Sequence, residues 1–370
     1  MPKHRHLSLK TFIHAVPWDL FQRYSDQLEV ENRPSGWAFI NVQAMEAFLS
    51  EPENAEAAGG IVEDFKRMND LCGHGMGNLV RAYNRYLIRF DQGTPAQELA
   101  MQLFLNHREA FEFAWSRYLF YGSPSKLSRH PFAVSGLTAS EAKLALFRTH
   151  VQKWFSGLAK GSECQVHSFE DEGEVIIRVS RGSYMRTVAC WERENITFRT
   201  FRPASEDLLV YDHATSTLSI KASLDKERQQ YLKLFATHIV GDPTLAEAAS
   251  REHVFSLLPL QEERFDYGGD GVITGVDLVK VRLKLRGQGD ASIDIRSEDV
   301  RKTLDDGAWG LSLRSGEMGL ARFRFHLRPQ GEKPQTVTFE VEPPARTDLT
   351  QKRYADIIER YLVEQGVKLL

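Results

Sequence analysis

The spacing of apolar residues changes once along this 370-residue chain, close to residue 160, and no other feature limits its fold as much. Up to that point the spacing is helical. Ile61, Phe65, Met68 and Cys72 fall on one stripe, and Leu79, Tyr83, Tyr86, Leu87 and Phe90 on another. At 3.6 residues per turn the members of each set share a face, so each stripe is a packing surface. Leu20, Phe21, Tyr24 and Leu28 follow Pro17, which suits a first helical position because its missing N–H would have no partner there anyway. Two wider aromatic stripes come next, Phe111, Ala114, Trp115, Tyr118 and Leu119, then Leu144, Phe147, Val151, Trp154, Phe155 and Leu158. Thr94 with Gln97, and Thr138 with Glu141, have the spacing of capping boxes that open helices. An all-helical bundle over residues 1–160 is the expectation.

Beyond Gly161 the apolar period falls to two, the period of a strand whose side chains alternate between faces. Residues 174–179, 186–191, 196–202, 208–212 and 217–221 read as strands joined by turns too short for crossover helices, which predicts an antiparallel meander. A helix over 225–238 closes this unit, and Gly241, Asp242 and Pro243 stop it. The last third repeats the order, with strands at 253–258, 273–285, 292–296, 322–327 and 336–341, then a helix over 349–365. The fold class is therefore α+β: an N-terminal all-helical bundle, then one or two antiparallel-sheet modules, each closed by a helix. Domains are expected at 1–160, 161–243 and 244–370, since 370 residues exceed what one core usually supports.

Within the last third, two strands alternate apolar and basic residues without a break. Lys280, Arg282, Lys284 and Arg286 share one face of the first, and Arg322, Arg324 and Arg328 lie along the second. Such a face attracts phosphates if it is free. A hairpin through Pro329, Gln330 and Gly331 would set Arg322 roughly opposite Glu340, and Glu340 with Glu342 would then neutralise the row; the sequence leaves both readings open. With a formal net charge of -3 the chain is not basic overall, so any pull on nucleic acid has to be local. Aromatic residues do not interleave on the basic face, which argues against base stacking there.

Asp266-Tyr267-Gly268-Gly269-Asp270-Gly271-Val272-Ile273-Thr274-Gly275-Val276-Asp277 resembles an EF-hand or dockerin-type calcium loop over these twelve residues alone. The resemblance implies calcium held by Asp266, Asp270 and Asp277. Gly268 removes one ligand position, Asp277 replaces the usual glutamate, and a strand follows where the family has a helix. A Gly-rich turn is the competing reading. Cys72-Gly73-His74-Gly75-Met76-Gly77-Asn78 lies between two helical stripes and reads as a helix–helix turn, without the lysine and hydroxyl of a phosphate loop.

Scattered histidines, three cysteines without CxxC spacing and the absence of GxSxG leave no catalytic or metal motif, so no cofactor is expected and no catalytic residue is assigned. Lys10, His14 and Asp19 break any apolar run near the start, and a mean hydropathy of -0.38 fits a chain outside the bilayer. A cytoplasmic, non-enzymatic binding or adaptor protein with a protein partner is the leading expectation. Nucleic-acid binding through the basic face is one alternative. A hydrolase or nuclease built from dispersed acids and histidines is the other.

Overall fold

A computed structural model describes residues 9–27, 41–50, 54–73, 75–91, 93–122, 126–134, 136–192, 195–251, 254–285, 291–305 and 310–369. The fold is α+β, with helices first and a large antiparallel sheet after them. Two compact units divide the chain: Met1–Ser123 with Met185–Phe201, and Pro124–Tyr184 with Arg202–Leu370.

In the first unit, helices α1 (Leu9–Ala15), α2 (Trp18–Gln27), α3 (Val42–Ser50), α4 (Ala55–Cys72), α5 (Met76–Arg85), α6 (Ala96–Asn106) and α7 (Arg108–Arg117) surround an aromatic core. Phe65 sits at its centre, within 5.5 Å of the rings of Phe12, Phe21 and Tyr24. Ile61, Phe65 and Met68 are buried, as the stripe requires. The next stripe runs out after Tyr83: α5 ends at Arg85, and Leu87 takes a φ of 52° and is left exposed. Neither expected capping box forms. Pro95 and Ser140 occupy the N-cap positions, and neither offers a side-chain cap.

The second unit holds strands β1 (Leu127–Pro131), β2 (Cys164–Asp171) and β3 (Glu174–Gly182), whereas β4 (Arg186–Glu192) and β5 (Asn195–Phe201) belong to the first unit. Further along the chain come β6 (Ala204–Asp212), β7 (Thr217–Lys221), β8 (Ile273–Leu285), β9 (Ser292–Arg296), β10 (Gly316–Leu327), β11 (Gln335–Glu342) and β12 (Arg346–Thr347). Ten of these form one sheet in the order β2-β3-β6-β7-β1-β12-β11-β10-β8-β9. Short β1 and two-residue β12 join its two halves.

Each half has its own core. Helix α8 (Glu141–Gly157) and helix α9 (Asp225–Leu234), the latter running on as a π turn over Phe235–Val240, cover the β3–β6–β7 half. Phe147, Val151 and Phe155 of α8 are buried among Val175, Ile177, Leu209 and Tyr231. The sequence grouped this helix with residues 1–160, but its stripe closes the sheet. Helices α10 (Thr244–Arg251), α11 (Leu258–Gln261), α12 (Val300–Asp305) and α13 (Ala355–Glu364) follow, and Ile358, Tyr361 and Leu362 of α13 pack against Phe323, Phe325 and Phe339. Residues 254–258 are not a strand: Phe255 bridges Lys368, and α11 begins three residues later. No helix among the described residues is long and apolar enough to cross a membrane.

Candidate functional site

The basic rows of β8 and β10 meet on one face of the sheet, with Arg322 opposite both Lys280 and Glu340. Carboxylates occupy the gaps. Lys280 lies 3.1 Å from Asp294, and Arg282 donates from Nε (2.7 Å) and Nη2 (3.2 Å) to the same group. Those bonds, Arg282 foremost, hold the Asp294 carboxyl far below its ordinary range. Arg322 donates from Nε to Glu340 at 2.8 Å, and Lys126 pairs with Glu340 at 2.6 Å and with Glu342 at 3.0 Å. Burial pushes the Glu340 carboxyl up, yet Lys126 and Arg322 outweigh it and hold the group below its usual value.

Arg324 is 3.8 Å from Asp277, whose carboxylate pairs with His326 Nε2 at 2.8 Å. A bulge explains how Asp277 reaches this face. Arg322 and Phe323 pair with Lys280 and Leu278, so Val279 is the extra residue and the residues before it change sides. Of the predicted row, Lys284 and Arg328 are exposed and make no ion pair with a described residue. Arg286 lies outside the described residues. The face is therefore largely a ladder of ion pairs.

The calcium-like loop is taken up by turns. Asp266 Oδ1 accepts from the Gly268 amide at 2.7 Å, and Asp270 Oδ1 from the Ile273 amide at 3.3 Å, while Asp277 belongs to the sheet. Among the described residues no three His, Cys, Asp or Glu side chains gather as a metal would need. Gly73 and Gly75 connect α4 to α5, and His74 lies outside the described residues. Burial pushes the Cys72 thiol up to about 12 and the Cys164 thiol up to about 11, which keeps both protonated and unreactive.

Two features were not legible in the sequence. The first is a buried charge network beneath the ends of β3 and β6. Arg181 donates to Asp207 at 2.6 Å and lies 3.2 Å from Glu227, Tyr231 donates to Asp207 at 2.8 Å, and Lys160 pairs with Glu227. Arg181 also stacks on the Phe155 ring at 3.8 Å. Burial works against the Arg181 charge, but Asp207, Tyr231 and Glu227 more than offset it and leave the guanidinium firmly charged. The two cations and two carboxylates are all buried, so the cluster is closed to a substrate. Glu227 also accepts from the Leu224 amide and so opens α9; that helix-start signal was readable, its ion pairs were not.

The second is the β4–β5 ribbon. The sequence placed these strands in the meander, yet they pair only with each other. Arg202 Nη1 donates to the carbonyls of Ala159 and Ser183, and the Ser183 amide donates to Pro203, so the root between β3 and β6 is tied where the ribbon leaves. Thr187, Ala189 and Trp191 share a face with Thr200, Phe198 and Ile196. Trp191 is 70% exposed, Phe198 74% and Ile196 56%. Arg186 and Arg199 stand on the opposite face. Val188 and Phe201 on that face are exposed as well, and since each strand carries apolar residues on both faces, alternation alone gave no sign that the ribbon lacks a core. No protein-family model matches the chain, and no curated protein matches it by sequence.

Proposed function

We propose that this protein is a non-enzymatic binding or adaptor protein that docks a protein partner on the aromatic face of the β4–β5 ribbon. The exposure of Trp191, Ile196 and Phe198 carries this reading. An isolated two-stranded ribbon is marginally stable in water, and its largest apolar side chains gain most from being covered. Tryptophan and other aromatics are also where binding energy concentrates in interfaces.

The chemistry around the face favours a protein. A nucleic acid stacked on Trp191 and Phe198 would have Arg186 and Arg199 on the far side of the ribbon, away from its phosphates. The sheet's basic row is largely committed to Asp277, Asp294 and Glu340. For a membrane, the sequence Glu192-Arg193-Glu194 carries no excess of positive charge to draw anionic lipid. An apolar cleft on a protein fits best. The three cysteines are all free, which suits a reducing, cytoplasmic setting.

Native purification of the wild type and of a Trp191→Ser, Phe198→Ser double variant, with protein and nucleic acid both identified, tests this. A protein is expected to co-purify with the wild type, rebind it when both are pure, and lose at least about tenfold in affinity for the variant. Undiminished binding by the variant, or a partner removed by nuclease, would count against the ribbon reading.

A further inference from the structure

Strand β2 is one edge of the ten-stranded sheet, and no described strand pairs with its outer side. All eight of its residues are in register with β3, from Cys164 opposite Arg181 to Asp171 opposite Glu174, without a bulge. The turn that fixes this register has Glu172 at φ 47° and Gly173 at φ 82°, the two positive angles of a type I′ hairpin. Cys-Gln-Val-His-Ser-Phe-Glu-Asp contains no lysine and no proline. The opposite edge, β9, is only five residues long, and its central Asp294 is enclosed by Lys280 and Arg282. Of the two edges of this sheet, β2 therefore offers the longer unbroken run of main chain.

Beside it runs a groove of about 600 Å³, between α8 and the helix-side face of β2. Leu144, Ala145 and Arg148 line one wall, and Val166, Ser168 and Glu170 on the helix-side face of the strand, with His167 beside them, line the other. Leu144 and Val166 are partly buried against the core, which gives the groove an apolar middle. Its ends carry opposite charge. Arg148, exposed and without an ion pair to a described residue, bears electrostatically on Cys164 at the start of β2. Glu141, two helical turns earlier, and Glu170 supply negative charge in the same groove.

We infer that this edge and groove form a second docking site, which takes an extended segment of a partner protein as an eleventh strand of the sheet. Main-chain hydrogen bonds to β2 supply most of the affinity, and the groove reads alternate side chains of the added strand. The chemistry selects an apolar residue between Leu144 and Val166, an acidic residue at the Arg148 end and a basic residue toward Glu141 and Glu170. The inference is independent of the ribbon, because it rests on other residues in the other unit.

The probe is a fluorescein-labelled octapeptide of alternating threonine and valine with aspartate at one end and lysine at the other. Its control has both charges replaced by serine. Anisotropy is expected to show the charged peptide binding the full chain about tenfold more tightly than the control. Arg148→Glu should remove that preference, and Ala145→Trp, which fills the groove from an exposed helical position, should remove binding of both peptides. Residues 164–171 should gain protection from hydrogen exchange when peptide is bound, and Trp191→Ser with Phe198→Ser should leave its affinity unchanged. No binding of either peptide, equal binding by the Ala145→Trp variant, or protection elsewhere would each overturn the proposal. Concentration-dependent dimers that the same tryptophan abolishes would overturn it too, by showing that the edge pairs with a second copy.

Discussion

Glu340 decides much of what the basic strands can bind. It sits opposite Arg322 and beside Lys126, so one carboxylate engages two cations. Because these partners hold its folded pKa below the ordinary 4.5, its contribution is fully present above pH 4.5 and is lost as the pH falls through the lower folded value. Glu340→Gln should therefore narrow the gap in urea stability between pH 6 and pH 3 (roughly the span of carboxylate titration); an unchanged gap would show that the pair contributes nothing. Arg282→Glu with Lys284→Glu probes the same ladder. The reversal sets glutamate against Asp294, which should lower stability by about 0.5–1 kcal/mol. Wild type and variant should give the same small anisotropy change with labelled oligonucleotides at low salt; a large, salt-sensitive signal from the wild type alone would restore the nucleic-acid reading. Deeper in the molecule, Glu227→Gln leaves Lys160 and Arg181 buried with one carboxylate fewer. Breaking such a pair costs about 3–5 kcal/mol, to be read as a fall in the urea midpoint.

At the scale of elements, α8 and the ribbon separate what pattern reveals from what it hides. Helical spacing in α8 predicts a buried stripe, and Phe147, Val151 and Phe155 are buried. Phe155→Ala should cost about 3–5 kcal/mol, whereas half-buried Trp154 should cost distinctly less. Equal losses would mean that the stripe is wider than its burial. Period cannot name the partner, because an amphipathic helix packs equally well on helices or on a sheet. Strands β8 and β9 were read with their observed bounds, and Arg322 was placed opposite Glu340 from turn length alone. In the sequence Asp277 fits both a calcium-like loop and a Gly-rich turn entering a strand; a one-residue bulge at Val279 is invisible to alternation, and that bulge is what turns Asp277 toward Arg324. The ribbon was read as two strands, correctly, but its separation from the sheet depends on the root formed by Ala159, Ser183, Arg202 and Pro203. Those contacts join residues up to about forty apart, and no local pattern encodes them.

For the whole molecule, α8 decides where the chain can be divided. A fragment of residues 1–160 includes α8 but lacks β3, β6 and β7, so Phe147, Val151 and Phe155 lose the side chains that bury them. It also leaves Lys160 without Glu227. Such a fragment should bind a dye for exposed apolar surface and show little near-ultraviolet dichroism from the α8 aromatics. Residues 124–370, with 185–201 replaced by a short glycine-containing turn, keep both sheet cores, the buried network and the tie from Ser183 to Pro203. That fragment should unfold in one cooperative urea transition and retain the β2 edge, hence the octapeptide affinity, while losing any partner bound by the ribbon. A native-like 1–160 fragment beside an unfolded 124–370 fragment would place α8 with the helices instead. Separating the two binding activities in this way tests the adaptor reading directly. If the aromatic ribbon and the β2 edge are separate docking sites, each activity should survive removal of the other element.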